Sequence, residues 1–326
     1  METLLLIPGF FLLIGGAEWL IHGASRLAKR LKVSELQIGL TVVAFGTSLP
    51  ELIINVMAPD SGASELAIAN VVGSNITNTL LILGLAALMR NLTVHRTVVS
   101  REITFNVLMS AMVLLLASDR LFQAHPTFRG LDMIDGIVLL SYFFIFLNYI
   151  YSSSHSRKTV RNHVRANLET DIPKSFLLVV VGAIAVSFGA KWIIDGALQI
   201  TQFLNVSQAL VGVTVVAIGT SIPELVTSLV AVRRGQIDIA VGNVVGSNLF
   251  NLMWVLGLSA FITDLPFNGE LMADTVFMVG VSSVLLLMLV LGKTKHQLSR
   301  FEGTILVTMY VVYLAVTIWE SQAVFS

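Results

Sequence analysis

Apolar residues run along this chain in long stretches, interrupted at intervals by short polar segments. The stretches are 18 to 26 residues long. As helices rising 1.5 Å per residue, they are long enough to cross a hydrocarbon core of about 30 Å. Ten such spans are expected, near 3–25, 36–57, 65–88, 101–118, 132–151, 174–199, 208–231, 238–262, 272–291 and 302–319. Between the fifth and sixth lies a hydrophilic loop, 152–173, which reads as a linker. The chain is therefore expected to divide into a five-helix unit at 1–151, the loop, and a second five-helix unit at 174–326.

Composition narrows the class. Of 326 residues, 55% are hydrophobic and only 12% charged, where soluble domains carry about 25% charged residues. A soluble enzyme, a nucleic-acid binder and a disordered scaffold are excluded; what remains is an all-α integral membrane protein. The lack of cysteine removes disulfides and thiolate metal sites. The first apolar stretch contains Glu18 and His22 and has no basic segment before it, so it reads as a retained helix rather than a cleaved signal peptide.

Positive charge gives an orientation, because short cytoplasmic loops are enriched in Lys and Arg. Seventeen of the twenty cations fall on odd-to-even connections: Arg26 to Lys32, Arg90 to Arg101, Arg157 to Lys174, Arg233 and Arg234, and Lys293 to Arg300. The other side has Arg120 and Arg129, and Lys191 sits inside the sixth span. Both termini are expected outside and the 152–173 loop in the cytoplasm.

The two halves repeat. GAEWLIHGASRLAKRLKVS at 16–34 aligns without gaps to GAKWIIDGALQITQFLNVS at 189–207, an offset of 173. The same offset carries TVVAFGTSLPE (41–51) onto TVVAIGTSIPE (214–224), with nine of eleven positions identical. It also carries NVVGSNITN (70–78) onto NVVGSNLFN (243–251), with seven of nine identical. Five spans is an odd number, so the second unit enters the membrane from the opposite side. An inverted-topology repeat is expected, the plan of many secondary transporters, whose sites lie near the midplane where repeats meet.

The repeated blocks carry the candidate chemistry. Gly46 and Pro50 interrupt an apolar span, which is expected to free carbonyls around Ala44 and Thr47 from helix bonding. Thr47 and Ser48 add hydroxyls, and Glu51 adds a carboxylate. The mate supplies Ala217, Thr220, Ser221 and Glu224. Hard cations such as Ca²⁺ take six to eight oxygens of this mixed kind, and an ionisable group inside a membrane is a functional candidate by default. In the second block, Ser74 and Asn78, four apart, share a helical face, as do Ser247 and Asn251. Asn75 and Asn248 lie off that face and are assigned a structural role; Asn70 and Asn243 are not assigned as ligands. Ala69 and Gly73, like Gly242 and Gly246, form small-residue faces suited to close helix contact. Glu18 and Lys191 hold equivalent repeat positions, as do His22 and Asp195, and a structural role is the simpler reading for all four. A P-loop and a G-x-S-x-G elbow are missing from the sequence, so a transporter is indicated rather than an enzyme.

With GTSLPE (46–51), GTSIPE (219–224), GSNITN (73–78) and GSNLFN (246–251), the chain resembles the cation/calcium exchanger superfamily, and within it the prokaryotic sodium/calcium exchangers. The resemblance implies an antiporter that exchanges Na⁺ for Ca²⁺ electrogenically by alternating access, with the first and sixth helices sliding across the remaining bundle. It implies that Glu51 and Glu224 are the principal Ca²⁺ ligands, helped by the carbonyls of Thr47 and Thr220. Sodium sites draw on Ala44, Ser48 and Ser74, and on Ala217, Ser221 and Ser247; Asn78 and Asn251 complete the central layer. Some prokaryotic relatives and the potassium-dependent branch of the superfamily carry aspartate where this chain has Asn251, which weighs against potassium coupling. No cofactor and no obligate protein partner are expected; the partners are the two ions and the bilayer. Rival readings are a same-fold exchanger coupled to H⁺ or K⁺ or moving another divalent cation, and, from another class, a passive cation channel or a non-transporting scaffold.

Overall fold

A computed structural model of the chain describes residues 5–57, 64–118, 130–156, 172–203, 219–267, 269–292 and 294–325. Helix α1 covers Leu6–Leu31. Helices α2 (Glu35–Thr47) and α3 (Leu49–Met57) follow, with a 45° bend between them. Helix α4 runs through Ser64–Thr77, a π turn at Asn78–Ile82, and Leu83–Met89. Helix α5 is Arg96–Ala117 and α6 is Met133–Ser156. In the second half come α7 (Ile172–Phe203), α8 (Ile222–Arg233), α9 (Ile237–Ile262), α10 (Gly269–Leu291) and α11 (Arg300–Phe325). Among the described residues, eight helices are long and apolar enough to cross a membrane, and α2 with α3 makes a ninth. The expected span at 208–231 is described only from residue 219, and residues 157–171 of the 152–173 loop lie outside the described residues.

Local sequence accounts for the boundaries. Helix α1 stops at Lys32, which adopts a left-handed conformation (φ 57°) and returns its N–H to the Ala28 carbonyl. Two residues on, Ser34 and Gln37 form a capping box: Ser34 Oγ accepts from the Gln37 N–H, and Gln37 Oε1 accepts from the Ser34 N–H. One expectation is corrected at α5. The sequence suggests a start at 101, but the helix begins at Arg96 and takes a π turn over Val99–Ile103. Arg96 through Ser100 therefore lie on a helix rather than in the preceding loop, because the long arginine side chain can stay exposed at the membrane boundary while its backbone remains helical. Two short β-pairs add to the helical plan: β1 (Leu92–Thr93) with β4 (Gln297–Leu298), and β2 (Gly130–Leu131) with β3 (Leu265–Pro266), each joining a loop of one half to a loop of the other.

Large apolar side chains cover the outside: Phe11 is 76% exposed, Ile134 69% and Trp319 70%. A soluble surface would not carry such a belt, whereas lipid accepts it. Inside, α4 and α9 form the centre, and every residue from Ile239 through Met253 is buried.

Helices in lipid gain little from hydrophobicity, so close packing holds them together. Helices α1 and α7 meet backbone to backbone at glycines. A Cβ at Gly182 would stand 2.5 Å from the Leu20 nitrogen, and one at Gly16 would stand 2.8 Å from the Val186 nitrogen. The expected small-residue face of Gly242 and Gly246 packs on α2, where added Cβ atoms would lie 2.7 Å from the Leu36 and Leu40 carbonyls. Its mate Gly73 meets nothing within 4 Å among the described residues. Replacing Gly182 with valine should destabilise the protein by about 1–3 kcal/mol or more, read as a lowered unfolding temperature in detergent, whereas Gly280→Ala, at a site with nothing within 4 Å, should leave it nearly unchanged. Equal stability of the two variants would contradict this packing.

Candidate functional site

The candidate site grows from the interruption in the α2–α3 span. Ser48 (φ −86°, ψ 9°) leaves the α region, and Ser221 does the same at its repeat position (φ −85°, ψ 2°). After each serine a new helix begins. Pro50 and Pro223 occupy its first turn, where the missing N–H has no helical partner to lose. Glu51 and Glu224 sit in those same first turns, where the positive end of the helix dipole favours a carboxylate. Proline thus starts a helix here rather than tearing one open. Accordingly, one expectation is corrected: the Ala44 carbonyl is not freed, since it accepts the Ser48 N–H at 3.0 Å and has the Thr47 hydroxyl at 3.3 Å.

The structure brings the expected ligand set together. Ala44, Thr47, Ser48, Glu51, Ser74, Asn78, Thr220, Ser221, Glu224, Ser247 and Asn251 are all 3% exposed or less. Ala217 lies outside the described residues. Contacts cross between the halves: Ser48 Oγ donates to Glu224 Oε1 (2.8 Å), Ser74 and Thr220 hydroxyls meet at 3.3 Å, and Thr47 Oγ1 donates to Asn243 Oδ1 (3.1 Å). Ser247 Oγ also donates to Glu224 Oε1, at 3.3 Å.

Several buried oxygens have no hydrogen-bond partner among the described residues: both carboxylate oxygens of Glu51, Glu224 Oε2, Asn78 Oδ1, Asn251 Oδ1 and Ser221 Oγ. Buried polar atoms are nearly always paired, and burying an ionised carboxylate without compensation costs several kcal/mol. Six such oxygens gathered on the repeated motifs make an acceptor-rich centre with two formal negative charges. That is the chemistry of a site for hard cations.

The amide orientation explains why the asparagine oxygens face no donor. Asn78 donates its Nδ2 to Asn248 Oδ1 (3.0 Å), and Asn251 donates its Nδ2 to Asn75 Oδ1 (3.3 Å). These two bonds are repeat mates. They use the NH₂ groups and leave both Oδ1 atoms as acceptors. Asn75 also donates to the Asn248 carbonyl at 3.3 Å, so this pair stitches α4 to α9. A π turn begins at each of Asn78 and Asn251; such turns are frequent at functional sites, and nothing in the sequence marks them.

Two residues outside the motifs hold the asparagines Asn70 and Asn243. Asn55 and Ser228 lie one helical turn beyond Glu51 and Glu224. Asn70 Nδ2 donates to Asn55 Oδ1 (2.6 Å), and Asn243 Nδ2 donates to Ser228 Oγ (3.0 Å) and to the Glu224 carbonyl (3.4 Å). The i,i+4 spacing together with the 173 offset is a signal that points to both residues. Asn70 and Asn243 thus orient neighbours. Glu18 does not pair with Lys191: it pairs with Arg234, tying α1 to the end of α8, while Lys191 pairs with Asp195 at 3.5 Å. A cavity of about 480 Å³ between α3 and α7 passes these last two residues and reaches Thr220.

Residues 1–152 and 174–319 match the family model described as sodium/calcium exchanger protein. The chain belongs to that family. This exchanger is 35% identical to the inner membrane protein YrbG of Escherichia coli (strain K12), with 98% of each chain covered. It is 32% identical to the sodium/calcium exchanger MaX1 of Methanosarcina acetivorans, covering 97% of this chain and 98% of that one. Among solved structures, it superposes on the sodium-calcium exchanger NCX_Mj with a TM-score of 0.81 at 30% identity, over 96% of this chain and 97% of the other. The exchanger is therefore an integral membrane transporter for cation/Ca²⁺ exchange.

A cation held at this centre should stabilise the fold. At about 100 times its dissociation constant, Ca²⁺ should add about 2.7 kcal/mol, raising the unfolding temperature in detergent. Glu51→Gln and Glu224→Gln should each cancel most of that rise; a full Ca²⁺-dependent rise in both variants would place the site elsewhere.

Proposed function

We propose that the exchanger drives Ca²⁺ in one direction with Na⁺ in the other through one central site formed by Glu51, Glu224, Thr47, Thr220, Ala44, Ala217, Ser48, Ser221, Ser74, Ser247, Asn78 and Asn251. The observation that carries the reading is the cluster of buried oxygens without donors around two carboxylates. One Ca²⁺ neutralises both carboxylates, and so do two Na⁺. A third Na⁺ on hydroxyl and carbonyl oxygens leaves a net positive load, so exchange is electrogenic. Because both ions need the same carboxylates, their occupancies exclude one another, and that exclusion is the coupling.

Alternating access fits the packing. The glycines of α1 and α7 lock these two helices to each other rather than to the bundle, so the pair moves as one body, with its two halves in inverted five-helix repeats. The Glu18–Arg234 pair spans the boundary that such a movement crosses.

In proteoliposomes, an imposed Na⁺ gradient should drive ⁴⁵Ca²⁺ uptake and shift the membrane potential. Glu51→Gln and Glu224→Gln should reduce that uptake to background. Uptake driven equally by K⁺ or by a pH gradient alone would refute sodium coupling, and Ca²⁺ flux without any counter-ion would indicate a channel.

The orientation has its own test, since the chain has no native cysteine. A cysteine at Ser153 should react with a membrane-impermeant maleimide from the cytoplasmic side, and one at Met133 from the outside. The reverse pattern would invert the topology.

A further inference from the structure

Away from the central cluster, a cleft opens between α2, α5 and α6 on the face of the bundle that carries most of the basic loops. It has two parts that share Arg101, Glu102 and Tyr149. The outer part, about 410 Å³, is lined by Ser34, Gln37, Thr97, Ser152 and Ser153, with Leu36 and Ile150 beside them. The inner part, about 280 Å³, is lined by Phe105, Ile145 and Phe146.

The order of these residues along the helices sets the polarity of the cleft. On α5, Thr97, Arg101 and Phe105 follow one another at four-residue steps along the helix. On α6, Ser153, Tyr149 and Ile145 descend in the same sequence. Hydroxyls therefore lie at the rim, a cation at the middle level, and aromatic and aliphatic groups deeper in. The middle level is built rather than incidental. Glu102 is 6% exposed and accepts the Tyr149 hydroxyl at 2.8 Å, which fixes the tyrosine ring. The Arg101 guanidinium lies 6.0 Å from that ring's centre, within reach of a cation–π contact; it hydrogen-bonds the tyrosine and is exposed, so its other N–H donors can reach a ligand. Below, Phe105 and Phe146 stack at 5.9 Å, and Ile145 is 61% exposed toward the bilayer.

We infer that this cleft binds one anionic, hydroxyl-bearing phospholipid from the basic-side leaflet, with its phosphate on Arg101 and an acyl chain along Phe105, Ile145 and Phe146. The headgroup hydroxyls meet the rim hydroxyls of Ser34, Thr97, Ser152 and Ser153. A basic pocket between transmembrane helices at this level is a recognised form of lipid headgroup site. The apolar continuation selects a lipid over a free phosphate ion, which would use only the outer part. Nothing in the inference depends on which ions are exchanged, so it stands or falls apart from the sodium/calcium reading.

The test is lipid retention by the purified full-length exchanger, measured by native mass spectrometry with phosphatidylglycerol and phosphatidylcholine at matched concentrations. One phosphatidylglycerol per chain should be retained in preference to phosphatidylcholine. Arg101→Ala should lower that retention about fivefold, the effect of one basic residue at a membrane surface, and Arg101→Lys should keep part of it. Ile145→Trp, which fills the groove from its lipid-facing wall, should lower retention while Arg101 remains in place. Arg300→Ala, at a residue that bonds Asn91 and the Met89 carbonyl and lines neither part of the cleft, should have no effect. Equal retention of the two lipids, unchanged retention in both Arg101→Ala and Ile145→Trp, or full displacement by excess inorganic phosphate would each overturn the inference.

Discussion

Two carboxylates at the centre of a membrane protein are the constraint around which the rest of this structure is arranged. Glu51 and Glu224 are fully buried, and an isolated carboxylate in such a place carries a desolvation cost of several kcal/mol. Paired cations from the protein would remove that cost, but would also fill the site for good. The chain uses weaker means instead: helix N-termini behind each glutamate and serine hydroxyls on one oxygen of Glu224. Each stabilises negative charge in part. The remainder is left for an ion that can leave again.

The same logic explains why the backbone breaks where it does. A carboxylate at the first turn of a helix needs a helix to begin at membrane depth, and an exposed helix end cannot survive in lipid. Ser48 and Ser221 make that start, the prolines tolerate it, and α4 and α9 close over it from both sides. Close approach of those central helices needs residues without side chains, and Gly242 and Gly246 meet that need against α2.

Much of this was legible in the sequence because repetition makes rare features conspicuous. A single Thr-Ser-Leu-Pro-Glu in an apolar span has an ordinary packing explanation; a matched copy 173 residues later does not. Hydropathy located the helices, because lipid enforces length and polarity residue by residue. It missed the start of α5, since an arginine that snorkels reads as loop when counted by charge. The fate of the Ala44 carbonyl was also beyond it: whether a proline kinks a helix or begins one depends on the dihedrals of the preceding serine. The π turns at Asn78 and Asn251 and the asparagine bonds across the halves arise only when α4 and α9 meet, and no local pattern encodes them.

Similar sequences in the two halves do not produce similar surroundings for the two glutamates. Ser48 donates to Glu224, yet among the described residues its repeat mate Ser221 makes no bond to Glu51, and both oxygens of Glu51 are without a donor. The residues needed for the opposite arrangement are all in place, because the motifs match. Two arrangements built from the same side chains differ little in energy, so the choice between them is easily biased by an ion. Exchange by the alternating access proposed above needs two states of nearly equal energy. A repeated sequence folded asymmetrically is a direct way to meet that need, and it ties the internal repeat to exchange more closely than the ligand residues alone do.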